Sequence, residues 1–226
     1  QTMTTTASHA LLPFALAATL LVTAASAAPA MPAATRLFGT CGAALGDRDG
    51  TEAAASFNVP YELVFDPVSD DIVVADSANH NVRRASVSGR VNTFAGSGTS
   101  AYADGVGILA SFANPYGMVL DLSGNAFIAD VVAHTLRKVT PGATVTLFSG
   151  PTDGSDGHVD GSAAASRYTK PAAICMFGAD FHATEYEGSL APTSPGRVRK
   201  VLADGTSSTV ATGLSQARSC AVSSGG

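Results

Sequence analysis

A chain of 226 residues that is 46% hydrophobic and only 14% charged can bury a core, which excludes a disordered polymer. Its net charge of −5, with Lys and Arg scattered singly, lacks the basic surface that neutralises phosphates and excludes nucleic acid as the expected partner. Its 23 glycines and 11 prolines punctuate short apolar runs, the texture of many short strands rather than of long helices.

The first segment is of a different material. Residues 10–28 (ALLPFALAATLLVTAASAA) are apolar and uncharged, and Ala25-Ser26-Ala27 fits an A-x-A cleavage site. Pro13 and the following AAPAMPAAT oppose a buried core helix. With Met3 as the start, residues 3–27 are expected to be a secretory signal and 28–35 a linker. Left uncleaved, the same segment would anchor the chain to a membrane. The flanking TTTASH departs from the usual pattern in carrying no Lys or Arg. A secreted chain would work in an oxidising, calcium-rich space. There Cys41, Cys175 and Cys220 make an odd set, so that one is free or pairs outside the chain.

From Asp49 onward the sequence repeats itself. DGTEAAASFNVPYELVFDPVSDDIVVADSANHNVRRASVSGRVNTFAG is followed from Asp104 by DGVGILASFANPYGMVLDLSGNAFIADVVAHTLRKVTPGATVTLFSG. Phe57, Pro60 and Asp66 recur 55 residues on as Phe112, Pro115 and Asp121. Asp76, His80, Arg83 and Gly96 recur 54 residues on as Asp130, His134, Arg137 and Gly150. A third copy begins at Asp160-Gly161 and keeps Tyr168, Pro171 and RVRKV (197–201). In it Glu185 replaces the Asp of IAD, and GSLAPTS enlarges the next loop.

Each copy holds four apolar segments, in the second YGMVLD, AFIAD, TLRKV and VTLFSG, separated by turn residues. Four strands and three hairpins form one propeller blade, a small twisted sheet that must be covered by its neighbours. The fold class expected is therefore all-β, a β-propeller of four-stranded antiparallel blades that is incomplete in this chain. The blades fall at about 49–96, 104–150 and 160–213, and a further one begins at 214–226. Phe57, Phe112 and Tyr168 are expected to wedge between blades. Pro60, Pro115 and Pro171 should open the innermost strands, where no ladder N–H is needed. Gly105 and Gly161 suit a left-handed turn. Asp76 and Asp130 should accept N–H bonds from the turn after the second strand, within reach of Arg83 and Arg137.

The pattern A-x-F-x-x-P-x-[GE]-[LM]-V-x-D…[IV]-A-D-x-x-x-H-x-[VL]-R, closing in V-x-x-[FL]-[AS]-G, resembles the NHL-repeat family of β-propellers. The resemblance covers residues 36–226 and weakens in the third blade. RLFG (36–39) matches the closing segments TFAG and LFSG, and ARSCAVSSGG (217–226) matches PYGMVLDLSG. A closed ring takes about four to eight blades. The sequence therefore reads as a fragment, whose ring would be closed by missing blades or by oligomerising, with RLFG placed to pair with the last blade.

Candidate chemistry is sparse. Asp153, Asp156 and Asp160 in DGSDGHVDG (153–161) could gather around calcium, although Asp-Gly also belongs to the repeat. His80 and His134, in equivalent loops, could share a zinc ion with a third ligand from elsewhere, or be ordinary turn residues. Cys175 and Cys220 both align with Val119 on an innermost strand, as buried thiols or as a pair. Some extracellular propellers resembling this family are zinc-using lyases, but their catalytic set matches no residues here. No G-x-S-x-G, Cys/His motif or nucleotide-binding loop occurs. Two readings follow. The first is a secreted or cell-surface module that binds an extracellular protein or glycan through the variable turns SANHN, VVAHT and EYEGSLAPTSPG, with no catalysis and no cofactor. The second is an extracellular metal-dependent propeller enzyme, a lyase or lactonase-like hydrolase.

Overall fold

The computed structural model describes residues 45–51, 54–186, 196–214 and 217–221. The signal-like segment, the linker, RLFG, Cys41, GSLAPTS and residues 222–226 lie outside the described residues. Among the described residues no helix is long and apolar enough to cross a membrane.

The chain is a β-propeller of antiparallel blades, three of which are described. The first contains β1 (Gly50–Thr51), β2 (Pro60–Asp66), β3 (Asp71–Asp76), β4 (Asn81–Ser86) and β5 (Arg90–Ala95). The second contains β6 (Gly105–Val106), β7 (Pro115–Leu120), β8 (Ala126–Asp130), β9 (Thr135–Val139) and β10 (Thr144–Ser149). The third contains β11 (Pro171–Phe177), β12 (Asp180–Glu185), β13 (Gly196–Val201) and β14 (Ser207–Leu214). The four longer strands of each blade form a meander in chain order from the innermost strand outward, and in the first two blades β1 and β6 lie beyond the fourth. The three prolines open β2, β7 and β11, as expected of a residue with no N–H to offer the ladder.

Turn chemistry explains the recurring Asp66 and Asp121. The Asp66 carboxylate accepts the Val68 N–H at 3.0 Å and the Ser69 hydroxyl at 2.7 Å. Asp121 accepts the N–H groups of Ser123 and Asn125, each at 2.9 Å. Each aspartate thus folds the first hairpin back on its own strand.

The Asp-Gly dipeptides differ from expectation. β1 pairs with the outer edge of β5 and β6 with β10, while Gly161 bridges Ser207, so they add a fifth, very short strand. Gly105 is not in a left-handed turn. A Cβ there would lie 2.8 Å from the backbone of Leu109, so close approach of the chain, not a positive φ, requires the glycine. Gly161, at φ 158°, likewise lies beside the extended region.

The middle strands are buried on both faces, and their alternate residues divide the core into sheet-to-sheet layers. Val73, Ala75 and Val82 of the first blade pack with Phe112, Met118 and Ile128. Phe127, Leu136 and Phe148 of the second pack with Tyr168, Phe181 and Val201. Phe112 and Tyr168 are therefore the wedges between successive blades. Phe57 packs against Ile72, Val74 and Val91 on the other side of the first blade. The innermost strands β2, β7 and β11 lie side by side.

That approach is closest at Gly117, where a Cβ would stand 2.5 Å from the Ala173 Cα and 2.6 Å from the Ala172 carbonyl oxygen. Gly117→Ala is expected to force β7 away from β11 and cost about 1–3 kcal/mol, read as a lower urea midpoint. An unchanged midpoint would contradict this contact.

Candidate functional site

The repeat-phase charged residues meet inside the blades. Arg83, Arg137 and Arg199, on the third strands, are all nearly inaccessible, at 2% exposure or less. Arg83 donates to Asp49 at 2.7 Å, to Asp76 at 3.1 Å and to the Ser56 carbonyl at 3.1 Å. Arg137 donates to Asp104 at 2.7 Å and to the Ser111 carbonyl at 3.3 Å. Arg199 donates to Asp160 at 2.7 Å and to Glu185 at 2.8 Å. An aromatic ring lies under each guanidinium: Phe57 at 5.4 Å, Phe112 at 5.7 Å and Tyr168 at 4.8 Å.

The acidic partners have further work. Asp76 accepts the Asn58 N–H at 2.7 Å, and Asp130 accepts those of Ala113 at 2.8 Å and Asn114 at 2.6 Å. These donors precede the innermost strand, so the carboxylates chiefly hold its approach. From the following turns, the Asn79 side-chain amide donates to Asp76 at 2.7 Å and the Ala133 N–H pulls the Asp130 carboxyl down. Glu185, one methylene longer, binds both Arg199 and the His158 Nδ1, the latter at 2.8 Å. Burial pushes the Asp76, Asp130 and Glu185 carboxyls up, while the facing N–H groups and guanidinium pull them down.

The candidate metal ligands do not come together. Asp153 caps the Ser155 N–H and hydroxyl within its own turn, at 3.0 and 2.6 Å. Asp160 is engaged by Arg199 and by the Thr209 N–H at 2.9 Å. Burial opposes, but the Thr209 and Arg199 bonds outweigh it and hold the Asp160 carboxyl below its usual range. Asp156 acts electrostatically on His134. Among the described residues no three His, Cys, Asp or Glu are grouped to hold a metal ion.

His80 and His134 instead clasp the next blade. Both sit in the left-handed region, at φ 56° and 59°. The Nδ1–H of His80 donates to the Ala113 carbonyl at 2.7 Å, since a carbonyl only accepts. His134 does the reverse: its Nδ1 accepts the Lys170 N–H at 3.2 Å and must be unprotonated. Equivalent Nδ1 atoms therefore play opposite parts, donor at His80 and acceptor at His134.

A second cluster, not singled out by sequence, lies at the end of the blades where the innermost strands begin. Pro60 pairs with Asp76, Pro115 with Asp130 and Pro171 with Glu185, so this end also carries the turns after β3, β8 and β12. Tyr61 and Tyr116, each following its proline, stack across two blades with ring centroids 3.7 Å apart. Tyr186 follows Glu185 in the third blade, and the Arg218 guanidinium lies 4.8 Å over its ring. Burial pushes the phenols of Tyr61 and Tyr116 up; Tyr186 adds to the rise and Arg218 opposes it. Because the innermost strands lie side by side, the ends carrying Tyr61, Tyr116 and Tyr186 adjoin, and Arg218 lies on the Tyr186 ring. The Pro-Tyr repeat was visible in sequence; the contributions of Tyr186 and Arg218 depend on tertiary placement.

Arg218 is positioned by a disulfide. Cys175 of β11 and Cys220 are bonded, with Cα atoms 6.0 Å apart, which ties residues 217–221 to the third blade. Both cysteines are half-buried and line a groove of about 580 Å³ with Phe177, His182, Val198 and Leu214.

No protein-family model matches the chain, and no curated protein does. Solved structures do. A protein of unknown function from Bacteroides thetaiotaomicron VPI-5482 is 26% identical with a TM-score of 0.56, over 66% of this chain and 37% of its own. An auxiliary nutrient binding protein from the same organism is 22% identical with a TM-score of 0.48, over 54% of this chain and 33% of its own. A virginiamycin B lyase from Staphylococcus aureus is 12% identical with a TM-score of 0.47, over 71% of this chain and 43% of its own. The chain thus spans well under half the length of these structures.

Two outcomes test these assignments. Arg83→Met leaves Asp76 buried without its cation and should cost about 3–5 kcal/mol in urea unfolding, whereas a loss near zero would deny the buried pair. Burial holds the His134 imidazole below its usual value, with Asp156 opposing and Lys170 reinforcing. A depressed histidine favours folding fully above about pH 6.5, and the advantage is lost as pH falls below it. The urea midpoint should drop between pH 7.5 and 5.5, and His134→Asn, which tolerates the same φ, should flatten that part of the drop. An equal drop in the variant would contradict the assignment.

Proposed function

We propose that the chain is an NHL-type propeller module that holds a protein or glycan partner outside the cell or at its surface, without catalysis of its own. The observation that carries this reading is the division of labour among its side chains. In the described residues the recurring Asp, Glu and Arg are engaged inside the blades. The end carrying the variable turns presents tyrosine rings instead. Loops and strand ends on a rigid scaffold are free to recognise a partner.

The NHL assignment is supported by its motif: the Phe and the Arg of the pattern stack in the first two blades, and in the first the strand-ending Asp76 pairs with Arg83. An oxidising location is supported by the Cys175–Cys220 disulfide together with the signal-like N-terminal segment.

Expressed with its own N-terminal segment, the full chain is expected in the medium or on the cell surface. The purified chain should bind saturably to a glycan on an array or to a defined secreted protein, and soluble ligand should compete. Retention in the cytosol, or substrate turnover that tracks a stoichiometric bound metal, would overturn the reading.

A further inference from the structure

The patch formed by Tyr61, Tyr116, Tyr186 and Arg218 has the parts of a ligand site. Three blades and the disulfide-tethered segment each supply one side chain. Tyr61 remains 42% exposed although it is stacked on Tyr116. A tyrosine offers a broad apolar face and a polar tip, which suits a ligand that is apolar on one side and hydroxylated at its rim. The hydroxyls of Tyr61 and Tyr116 make no hydrogen bond among the described residues, so both are available to such a rim.

Arg218 supplies the charge. Arg83, Arg137 and Arg199 are each paired with carboxylates inside a blade. Arg218 is exposed and has no carboxylate partner among the described residues, yet its guanidinium is oriented by the Tyr186 ring. A planar fork held on an aromatic face is arranged for two-point recognition of a carboxylate.

We propose that these four residues form a subsite for an acidic glycan, in which a uronate ring lies against the tyrosines and its carboxylate pairs with Arg218. The proposal rests on the binding-module reading and gives it a site and a ligand class. A pyranose presents a C–H face to an aromatic ring, hydroxyls at its rim and, in a uronate, a carboxylate beside the ring. Placement across three blades suits an oligosaccharide more than a single small acid.

The chain has no tryptophan, and three of its five tyrosines belong to the patch, so intrinsic emission reports on the site. The full chain would be titrated with tetragalacturonate and with its methyl ester, which keeps the rings and removes the charge. The acid should change the emission saturably, and the ester should bind about ten-fold or more weakly. Arg218→Gln should bring the acid down to the level of the ester. Tyr61→Ala should weaken both sugars with an unchanged circular dichroism spectrum. Absence of acid binding, equal affinity for acid and ester, or affinities unaltered in both variants would each overturn the subsite. The binding-module reading fails separately, by the localisation and array experiment.

Discussion

A guanidinium buried in a small sheet must be met by carboxylates and carbonyls, or the sheet does not form. In each blade that requirement links distant parts of the chain. The arginine of the third strand reaches an aspartate before the first and, in the first and third blades, an acid at the end of the second as well. The outer aspartate brings its glycine onto the edge of the fourth strand, which is why a two-residue fifth strand appears in the first two blades. The inner acid reaches on to backbone N–H groups before the innermost strand or, through Glu185, to His158. One ionic cluster thereby fixes the approach, the middle and the outer edge of a blade.

Stacking follows from the same cluster. The ring beneath each arginine also enters the apolar layer, and at Phe112 and Tyr168 that layer is shared with the preceding blade. The histidine turns reinforce the junctions, each bonding backbone of the following blade. Opposite Nδ1 roles at His80 and His134 show that repeat phase fixes where a side chain sits without fixing whether it donates or accepts. Among the described residues the recurring Asp, Glu and Arg are thus engaged within the blades.

The four principal strands of each described blade were legible, because prolines, turn aspartates and arginines recur at nearly fixed spacing. Gly105 was misread because a glycine after Asp signals a tight turn equally well when the real demand is closeness to Leu109. The following turn was expected to satisfy Asp76 and Asp130, but a carboxylate at a strand end is also open to the segment entering the neighbouring strand, and spacing cannot choose between them. Glu185 stood out as a departure, yet its extra reach to His158 needed coordinates. Tyr186 has no counterpart in the other blades, and Arg218 is brought in by a cysteine pairing that sequence left open.

The central claim is that the buried acid–arginine pair, Asp76–Arg83 or Glu185–Arg199, is the joint of its blade. It is tested most directly by a double-mutant cycle on Glu185 and Arg199, whose side chains are 1% and 0% exposed and 2.8 Å apart. Urea unfolding of the parent, Glu185→Gln, Arg199→Met and the double variant yields the coupling free energy. A coupling of about 1–3 kcal/mol is predicted. Additive losses, with a coupling near zero, would contradict the claim.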